Sequence, residues 1–215
     1  CDCDVIYHLA AQASIPLSFE NPVESISHNF WGMIRVLEHA KKTGAVVVFS
    51  SSSSVYDLMS PYAVQKKQCE EWMEFYWKQG IKSVALRYFN VFGERQELAN
   101  EGYSLVLSKF LDQYKKGQPF TIIGTGEQRR DFIYVKDVVE VNRLAVEYLK
   151  TATEFKTFDV GTGETYSVNE VADMIDKNHR RINLPPRIEP FENKADKNKW
   201  LFGWKPKTTI LQWLQ

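Results

Sequence analysis

Short apolar runs alternate with longer amphipathic segments along most of the chain. The apolar runs predict strands at residues 5–9, 45–49, 83–88, 120–123 and 157–160. Helical periodicity predicts helices at residues 23–42, 62–78, 103–116, 135–150 and 168–177. Continuous apolar strands that alternate with amphipathic helices are typical of βαβ units. We therefore predict an α/β fold, a Rossmann-like doubly wound parallel sheet covered by helices on both faces.

The regular alternation loosens after Gly93, and this change predicts a smaller α+β lobe interleaved with the end of the first domain. We expect residues 1–93 and about 132–160 to form the Rossmann-like domain. Residues from about 94–131 and 161–215 would then form the smaller lobe. Residues 184–187 contain two prolines and are the best candidate for a linker.

Composition and charge exclude several classes of protein. Lysine plus arginine and aspartate plus glutamate number 27 each, so no net positive field favours a nucleic acid. No apolar run is long enough to span a bilayer, and no signal peptide opens the chain, so we expect no membrane partner and a cytoplasmic location. The three cysteines lack the further ligands of a zinc site, and we predict no metal.

Polar clusters follow three of the predicted strands, at residues 8–12, at the five serines 50–54, and at Asn90. Ligands of doubly wound sheets bind at the carboxyl ends of the strands, so these clusters are expected to converge on one site. A serine-rich stretch can also be an ordinary turn, because short hydroxyl side chains compete with regular structure for backbone hydrogen bonds.

Tyr62 and Lys66 are four residues apart on a predicted helix and therefore share one face. The spacing alone is weak evidence, but an ammonium beside a phenol favours the phenolate. It would lower the tyrosine pKa from about 10 by about 1 to 3 units. With a nearby serine hydroxyl, the pair would form a general acid-base device for interconverting an alcohol and a ketone.

Eight ordered motifs carry a resemblance to a known family over nearly the whole chain. Among them are DVIYHLAAQAS, VVVFSSSSSVY, SPYAVQKK, LRYFNVFG, GTGEQRRDFIYVKDVV and FDVGTGETYSVNEVA. In this order they resemble the nucleotide-sugar epimerases of the extended short-chain dehydrogenases/reductases. The resemblance implies NAD as cofactor, a UDP-sugar as substrate, and Ser52, Tyr62 and Lys66 as the catalytic triad.

The same resemblance implies that residues 1–93 and about 132–160 bind the dinucleotide, and that residues from about 94–131 and 161–215 bind the substrate. It also implies roles for further residues. Positions matching the family's cofactor-binding residues are Ala10, Ala11, Asn29, Ser50, Ser51, Tyr62, Lys66 and Tyr88. Positions matching its substrate-binding residues are Ser52, Asn90, Leu105, Thr121, Ile123, Arg130 and Asn193. Arg130 would bind the diphosphate, although a solvated surface charge is the alternative. Asn193 would lie beside the C2 substituent of the sugar, where its small size predicts that an N-acetyl group is accepted; the alternative is a surface loop.

Three departures from the family pattern accompany these matches. The glycine-rich phosphate loop is absent, and the chain starts without Met at what resembles the fourth strand, so we expect that an N-terminal segment precedes it. The stretch between Tyr56 and Pro61 is short for the family, and the diphosphate-binding Arg-x-Gly-Asp is not visible before Ala195. We expect that residues are missing near 56/57 and 192/193.

The resemblance favours epimerisation at C4 of a UDP-hexose through a 4-keto intermediate. Dehydratases and decarboxylases of the family carry acidic residues just after the serine or threonine, whereas Ser53 and Ser54 follow Ser52 here. The alternatives are another nucleotide-sugar oxidoreductase or dehydratase, and a non-catalytic dinucleotide-binding regulatory protein. Apolar residues on helices 23–42 and 62–78, including Phe30, Trp31, Trp72, Phe75 and Trp77, predict a homodimer through these helices.

Overall fold

The computed structural model describes residues 3–96, 105–186 and 189–215. In chain order the strands are β1 (Val5–His8), β2 (Val46–Ser52), β3 (Ser83–Tyr88), β4 (Asn90–Phe92), β5 (Phe120–Ile123), β6 (Arg129–Arg130), β7 (Phe132–Tyr134), β8 (Lys156–Val160), β9 (Tyr166–Ser167), β10 (Arg181–Leu184) and β11 (Glu192–Asn193). The helices are α1 (Ile15–Glu20), α2 (Pro22–Ile26), α3 (Gly32–Thr43), α4 (Pro61–Trp77), α5 (Val106–Lys115), α6 (Val135–Thr151), α7 (Val168–Asp176) and α8 (Ile210–Leu214). A π-helical turn covers Ser27–Trp31, and 3-10 turns cover Ser53–Tyr56 and Lys197–Lys199.

The central sheet is parallel throughout and has the strand order β1-β2-β3-β8. Helices cover both of its faces, which confirms the predicted α/β architecture. On one face α3 and α4 pack Met33, Leu37 and Met73 against Val47, Phe49 and Ala85. On the other face α6 packs Val138, Val141 and Ala145 against Val48, Val84 and Leu86. Successive strand side chains point to opposite faces, so both faces need an apolar residue at every second position.

A third apolar cluster lies outside the central sheet. Its largest buried side chains are Phe92, Phe110 and Phe120, and residues of α5, α7 and α8 pack around them. Short strand pairs complete this part of the molecule: β4 with β7, β5 with β10, and β6 between β9 and β11. The predicted linker at 184–187 was wrong at its start, because Leu184 ends β10 and is paired with Ile123 in a parallel ladder. Arg187 lies outside the described residues.

Two elements differ from the predicted pattern. The helix predicted at 23–42 is divided into α2, the π-helical turn and α3, and Asn29 in the π-helical turn bonds the backbone of Gln12. Three of the five serines are strand rather than loop, because Ser50, Ser51 and Ser52 continue β2 beside the end of β3. Pairing with a neighbouring strand outweighs the local preference of serine for turns. No helix within the described ranges is long and apolar enough to cross a membrane.

Candidate active site

The carboxyl ends of the first three strands lie side by side. Residue pairing joins His8 of β1 to Phe49 of β2, and Ser52 at the end of β2 to Tyr88 at the end of β3. Asn90 follows two residues later and begins β4. The structure thus brings together the three polar clusters that the sequence predicted to converge, because parallel strands end at the same edge of a sheet.

Tyr62 reaches this edge from the first turn of α4. Ser60 caps the helix by accepting the backbone N–H of Ala63 at 3.1 Å, and Pro61 occupies the first helical position. Serine caps and first-turn prolines are the usual signals of a helix start, so the start of the helix is local in origin. The Tyr62 hydroxyl lies near the side chain of Ser52, whose proximity favours the ionised phenol. Ser52 also accepts from the Ser54 hydroxyl at 2.9 Å.

Lys66 lies one helical turn beyond Tyr62 and is buried. Its ammonium nitrogen donates to the carbonyl oxygen of Ser50 at 2.7 Å and lies 5.7 Å from the centre of the Tyr62 ring. It also lies 4.5 Å from the centre of the Phe49 ring. The predicted triad of Ser52, Tyr62 and Lys66 is therefore assembled around the last residues of β2.

Burial dominates the acid-base properties of this pair. It raises the pKa of Tyr62 to about 12, against the hydrogen bond from Ser52, which lowers it. Burial lowers the pKa of Lys66 to about 8, although Cys69 and Glu70 raise it. The expectation that Lys66 lowers the tyrosine pKa was therefore wrong for the chain alone. The physical reason is that the ammonium bonds to Ser50 rather than to the phenol oxygen, so it does not offset the loss of hydration.

Ser50 and Ser51 point to different surroundings because they are neighbours on a strand. The Tyr88 hydroxyl, near the side chain of Ser50, donates to Asn142 Oδ1 on α6 at 2.9 Å, and burial raises the pKa of that tyrosine to about 12 although Asn142 and Ser50 lower it. Ser51 is buried and donates to Glu70 Oε1 at 2.7 Å. The structure therefore brings Ser50 and Tyr88 together with the triad and leaves only the backbone of Ser51 for a cofactor contact.

The loop after β1 contains Ala10 and Ala11, whose small side chains are partly exposed at the sheet edge. Asn29 holds this loop by accepting the N–H of Gln12 at 2.8 Å and donating to its carbonyl oxygen at 3.2 Å. His8, at the end of β1, is buried and stacks on Phe49. Its Nε2 atom has no hydrogen-bond partner within the described part of the chain. Burial and the charge of Lys66 lower the His8 pKa to about 4.

The residues predicted to bind the diphosphate and the sugar lie on β4, β6 and β11. Arg130 pairs with Asn193 in the parallel ladder, and its guanidinium forms an ion pair with Glu189 at 2.6 Å. The Asn193 amide oxygen is buried and has no hydrogen-bond partner among the described residues. Asn90 donates its side-chain amide to the carbonyl oxygen of Asp131 at 3.0 Å. The backbone N–H of Asn90 donates to the same carbonyl oxygen at 3.0 Å, so the start of β4 is connected to the residue after β6.

The three residues predicted to enclose uridine lie on α5 and β5. Leu105 is the N-cap of α5, and Thr121 exchanges two hydrogen bonds with the side chain of Gln113 on that helix. The carbonyl oxygen of Ile123 accepts from Gln128 at 3.0 Å, and Gln128 also reaches Glu189 at 3.3 Å. Gln128 therefore links Ile123, at the end of β5, to Glu189, which is the ion-pair partner of Arg130.

Asp131 is a structural residue of this region that the sequence did not reveal. Its buried carboxylate accepts the backbone N–H groups of Thr162, Gly163 and Ala195 at 2.8, 2.7 and 3.2 Å. The Asp131 carboxylate thus joins the end of β6 to the Gly-Thr-Gly turn at residues 161–163 and to the segment after Asn193. A Cβ on Gly161 would lie 2.7 Å from the Ala195 side chain and 2.8 Å from the Asp131 carboxylate, so only glycine fits there. The sole signal in the sequence was an acidic residue between arginine and an apolar strand.

The site fits a dinucleotide in its general chemistry. Small side chains at Ala10 and Ala11 leave room for close approach at the end of β1, and the hydroxyls of Ser52, Tyr62 and Tyr88 surround the adjacent ends of β2 and β3. Within the described ranges, no group of three or more His, Cys, Asp or Glu side chains is placed to hold a metal ion.

This fold, with a serine, tyrosine and lysine at its carboxyl edge, defines a Rossmann-type α/β protein of the short-chain dehydrogenase/reductase class. The chain belongs to the NAD dependent epimerase/dehydratase family, because the sequence model of that family matches residues 1–161. NAD is the cofactor of this family, and similar structures contain it, including a UDP-glucose 4-epimerase of Thermus thermophilus that is 30% identical, with a TM-score of 0.86, over 98% of this chain and 75% of that one.

Similar proteins include epimerases and decarboxylases. A Methanocaldococcus jannaschii protein provisionally named UDP-glucose 4-epimerase is 33% identical over 97% of this chain and 74% of its own length. UDP-N-acetylglucosamine 4-epimerase from Methanobrevibacter ruminantium M1, in complex with UDP-N-acetylmuramic acid, has a TM-score of 0.89 at 32% identity over 99% of this chain and 74% of that one. UDP-glucuronic acid decarboxylase 1 of Xenopus tropicalis is 31% identical over 95% of this chain and 53% of its own length.

The first of these alignments bears on the short segments of the chain. It extends over 232 residues, more than the 215 of this chain, so the M. jannaschii protein has residues inside the matched region that this chain lacks. The chain spans about half the length of the decarboxylases, 52–58% in those compared.

Proposed function

We propose that the protein interconverts C4 epimers of a UDP-hexose, with the UDP-glucose and UDP-galactose pair as the first candidate. The observation that carries the proposal is the placement of Ser52, Tyr62 and Lys66 together at the carboxyl edge of β2, with the Lys66 ammonium 5.7 Å from the centre of the Tyr62 ring and bonded to the carbonyl oxygen of Ser50. An alcohol-ketone interconversion needs a group that removes and returns a hydroxyl proton, and this arrangement supplies one.

In this mechanism Tyr62 accepts the proton of the sugar 4-hydroxyl through its phenol oxygen. Ser52 donates a hydrogen bond to the same sugar oxygen and keeps it beside Tyr62. After the 4-keto sugar has turned about its diphosphate, Tyr62 returns the proton to the carbonyl oxygen, so the proton is conserved. Bound NAD supplies the reversible hydride acceptor, and its oxidised form supplies a positive charge at the site.

The raised pKa of Tyr62 sets a requirement on this step. At neutral pH the phenol of the chain alone is protonated, since burial raises its pKa to about 12. Lys66, with a pKa of about 8, is predominantly charged at pH 7, but its ammonium is bonded to Ser50 and leaves the phenol pKa high in the chain alone. Positive charge added next to the phenol favours the phenolate, so we propose that Tyr62 becomes a base only in the complex with the oxidised cofactor.

Several residues are proposed to hold the cofactor and the substrate. Ala10, Ala11, Asn29, Ser50, Lys66 and Tyr88, with the backbone of Ser51, would contact NAD. Asn90, Arg130 and Asn193 would contact the diphosphate and the sugar, and Leu105, Thr121 and Ile123 would enclose the uridine. On this basis we assign residues 1–93 and about 132–160 to cofactor binding, and the remainder to substrate binding.

The choice between 4-epimerase and decarboxylase rests on the residues after Ser52. Ser53 and Ser54 follow it, and the Ser54 hydroxyl and backbone N–H both bond Ser52 Oγ, at 2.9 and 3.2 Å. Hydroxyl groups at these positions support the serine and offer no carboxylate for chemistry at C5 or C6. A non-catalytic role is disfavoured by the assembled triad, because a dinucleotide-binding module has no need for a tyrosine placed beside a serine and a buried lysine.

The substitution Tyr62→Phe tests this function. It removes the proton acceptor without changing the ring, so we expect turnover of UDP-glucose to fall by about 10²- to 10⁴-fold while NAD binding is retained. Tyr114→Phe is the matched control, because the Tyr114 side chain is exposed and its ring contact with His179 does not involve the hydroxyl. Products are identified by NMR. Turnover by Tyr62→Phe at the wild-type rate, or 4-keto or decarboxylated sugars as the only products of the wild type, would refute the assignment.

We also propose a homodimer. Val23, Trp31, Trp72 and Phe75 are exposed by 80, 55, 40 and 52% on adjoining helices and the π-helical turn. Trp77 no longer belongs to this set, because it packs against the core beneath α6. Apolar surface of this extent is typical of an interface. A second copy could cover it with the same residues across a two-fold axis.

A further inference from the structure

Gln65 is a buried polar residue to which the reaction assigns no role. It lies on α4 between Val64 and Lys66, and its side chain is 2% exposed. Its Oε1 atom accepts two hydrogen bonds, from Asn29 Nδ2 at 2.7 Å and from Ser25 Oγ at 2.9 Å. Both donors are themselves buried. The three side chains form a closed polar cluster between α2, the π-helical turn and α4.

The Asn29 amide has one orientation that satisfies both Gln12 and this cluster. The backbone N–H of Gln12 can only donate, and it bonds Asn29 Oδ1 at 2.8 Å. Asn29 Nδ2 then donates to the Gln12 carbonyl oxygen, to Ser25 Oγ at 3.4 Å and, by its shortest bond, to Gln65 Oε1. If Asn29 turned over, its Nδ2 donor would face the Gln12 N–H. Gln65 Oε1 is the acceptor that matches the orientation required by the loop.

The backbone around Asn29 supports the same conclusion. Asn29 is the middle residue of the π-helical turn Ser27–Trp31. Single π-helical turns are rare within helices and occur frequently at functional sites. Here the turn contains the residue whose amide holds the loop from 10 to 12. The geometry of the helix and the hydrogen bonds of Gln65 therefore act on the same side chain.

We propose that Gln65 is a positioning residue for cofactor binding, which acts through Asn29 on the loop that carries Ala10 and Ala11. This rests on the proposed placement of NAD against that loop. Because Gln65 and Lys66 are neighbours on α4, the helix that carries Tyr62 and Lys66 also holds the loop after β1. The two halves of the site are thereby kept in one arrangement.

The test measures NAD affinity and catalysis in three variants of the protein. Gln65→Met keeps the size of the side chain but removes the acceptor, and we expect the Kd for NAD to rise about tenfold with little change in KM for UDP-glucose. Gln65→Glu keeps an acceptor at the same position and should restore the Kd to within about threefold of wild type. Gln68→Met, a partly exposed glutamine three residues further along α4, is the matched control and should bind NAD as the wild type does.

A double variant separates positioning from stability. Ser25→Ala with Gln65→Met removes the hydroxyl that Gln65→Met leaves without its acceptor, while Asn29 Nδ2 keeps its bond to the Gln12 carbonyl oxygen. It should therefore be more stable than Gln65→Met and still show the weakened NAD binding. Wild-type NAD affinity in Gln65→Met or in the double variant would overturn the proposal. So would equal losses in Gln65→Met and Gln65→Glu. Wild-type protein that binds NAD but converts no UDP-sugar would refute the proposed function instead, and the NAD comparison would still decide the role of Gln65.

Discussion

Glu70→Gln is expected to destabilise the protein strongly although Glu70 takes no part in the chemistry. Its carboxylate is 2% exposed and receives two bonds from Arg87, with Nε at 2.9 Å from Oε1 and Nη2 at 2.7 Å from Oε2. Oε1 also accepts the Ser51 hydroxyl. The ion pair therefore fixes α4 against the ends of β2 and β3, next to the triad.

The size of the effect follows from what glutamine retains. The substitution keeps one acceptor oxygen and replaces the other by an NH₂ group that faces a guanidinium. Removing one partner of a buried ion pair costs about 3 to 5 kcal/mol, because the other charge remains buried. The Arg87 side chain is 11% exposed and also donates to the Tyr56 hydroxyl at 2.9 Å, which compensates part of the loss. We expect a decrease of about 3 kcal/mol in the free energy of unfolding, and of about 6 to 12 °C in Tm.

Urea unfolding without ligands is the assay, because bound NAD would add its own stabilisation. Glu74→Gln on the same helix is the control. Its ion pair with Lys78 is exposed, 55 and 70% for the two side chains, and should be worth at most about 0.5 kcal/mol. A loss below about 1 kcal/mol for Glu70→Gln, at an unchanged m-value, would refute the reasoning. Equal losses in the two variants would refute it as well.

Three further predictions concern pH, specificity and assembly. The His8 pKa is lowered to about 4, so the unfolded state, with a histidine pKa of about 6.5, binds the proton more readily; stability should fall from pH 6.5 towards pH 4 by up to about 3 kcal/mol. In His8→Phe this part of the pH dependence, measured by urea unfolding, should disappear; an unchanged profile would contradict it. Asn193→Tyr should lower kcat/KM for UDP-N-acetylglucosamine relative to UDP-glucose by about 10-fold or more. An unchanged ratio of the two kcat/KM values means that Asn193 does not determine specificity for the C2 substituent. Light scattering at micromolar concentration should show a dimer, and Trp31→Glu with Trp72→Glu should shift it to monomer; a monomeric wild type contradicts the interface.

The proposed acceptance of an N-acetylated substrate depends on Asn193. Asn193 pairs with Arg130, the proposed diphosphate ligand, and its amide oxygen is buried without a described partner. This oxygen could accept a hydrogen bond from an N–H group of the substrate. The kcat/KM comparison tests that assignment directly.

The order of strands and helices and the triad were accessible from the sequence. Strand runs and helical periodicity depend on local chemistry, namely which residues are apolar and how often they recur. The spacing of Tyr62 and Lys66 predicts a shared helix face, and the resemblance to the epimerase family identified Ser52, Tyr62 and Lys66 as the triad. The structure confirms the parallel sheet and brings these three side chains together.

Protonation and positioning were decided by the tertiary structure. The sequence places a lysine beside Tyr62, but burial of both groups and the carbonyl of Ser50 determine that the phenol pKa rises rather than falls. The contacts of Gln65 with Ser25 and Asn29, and of Asp131 with Gly163 and Ala195, join residues 32 to 64 positions apart. Hydrogen bonds and desolvation depend on which distant segments meet, and periodicity along the chain carries no record of that.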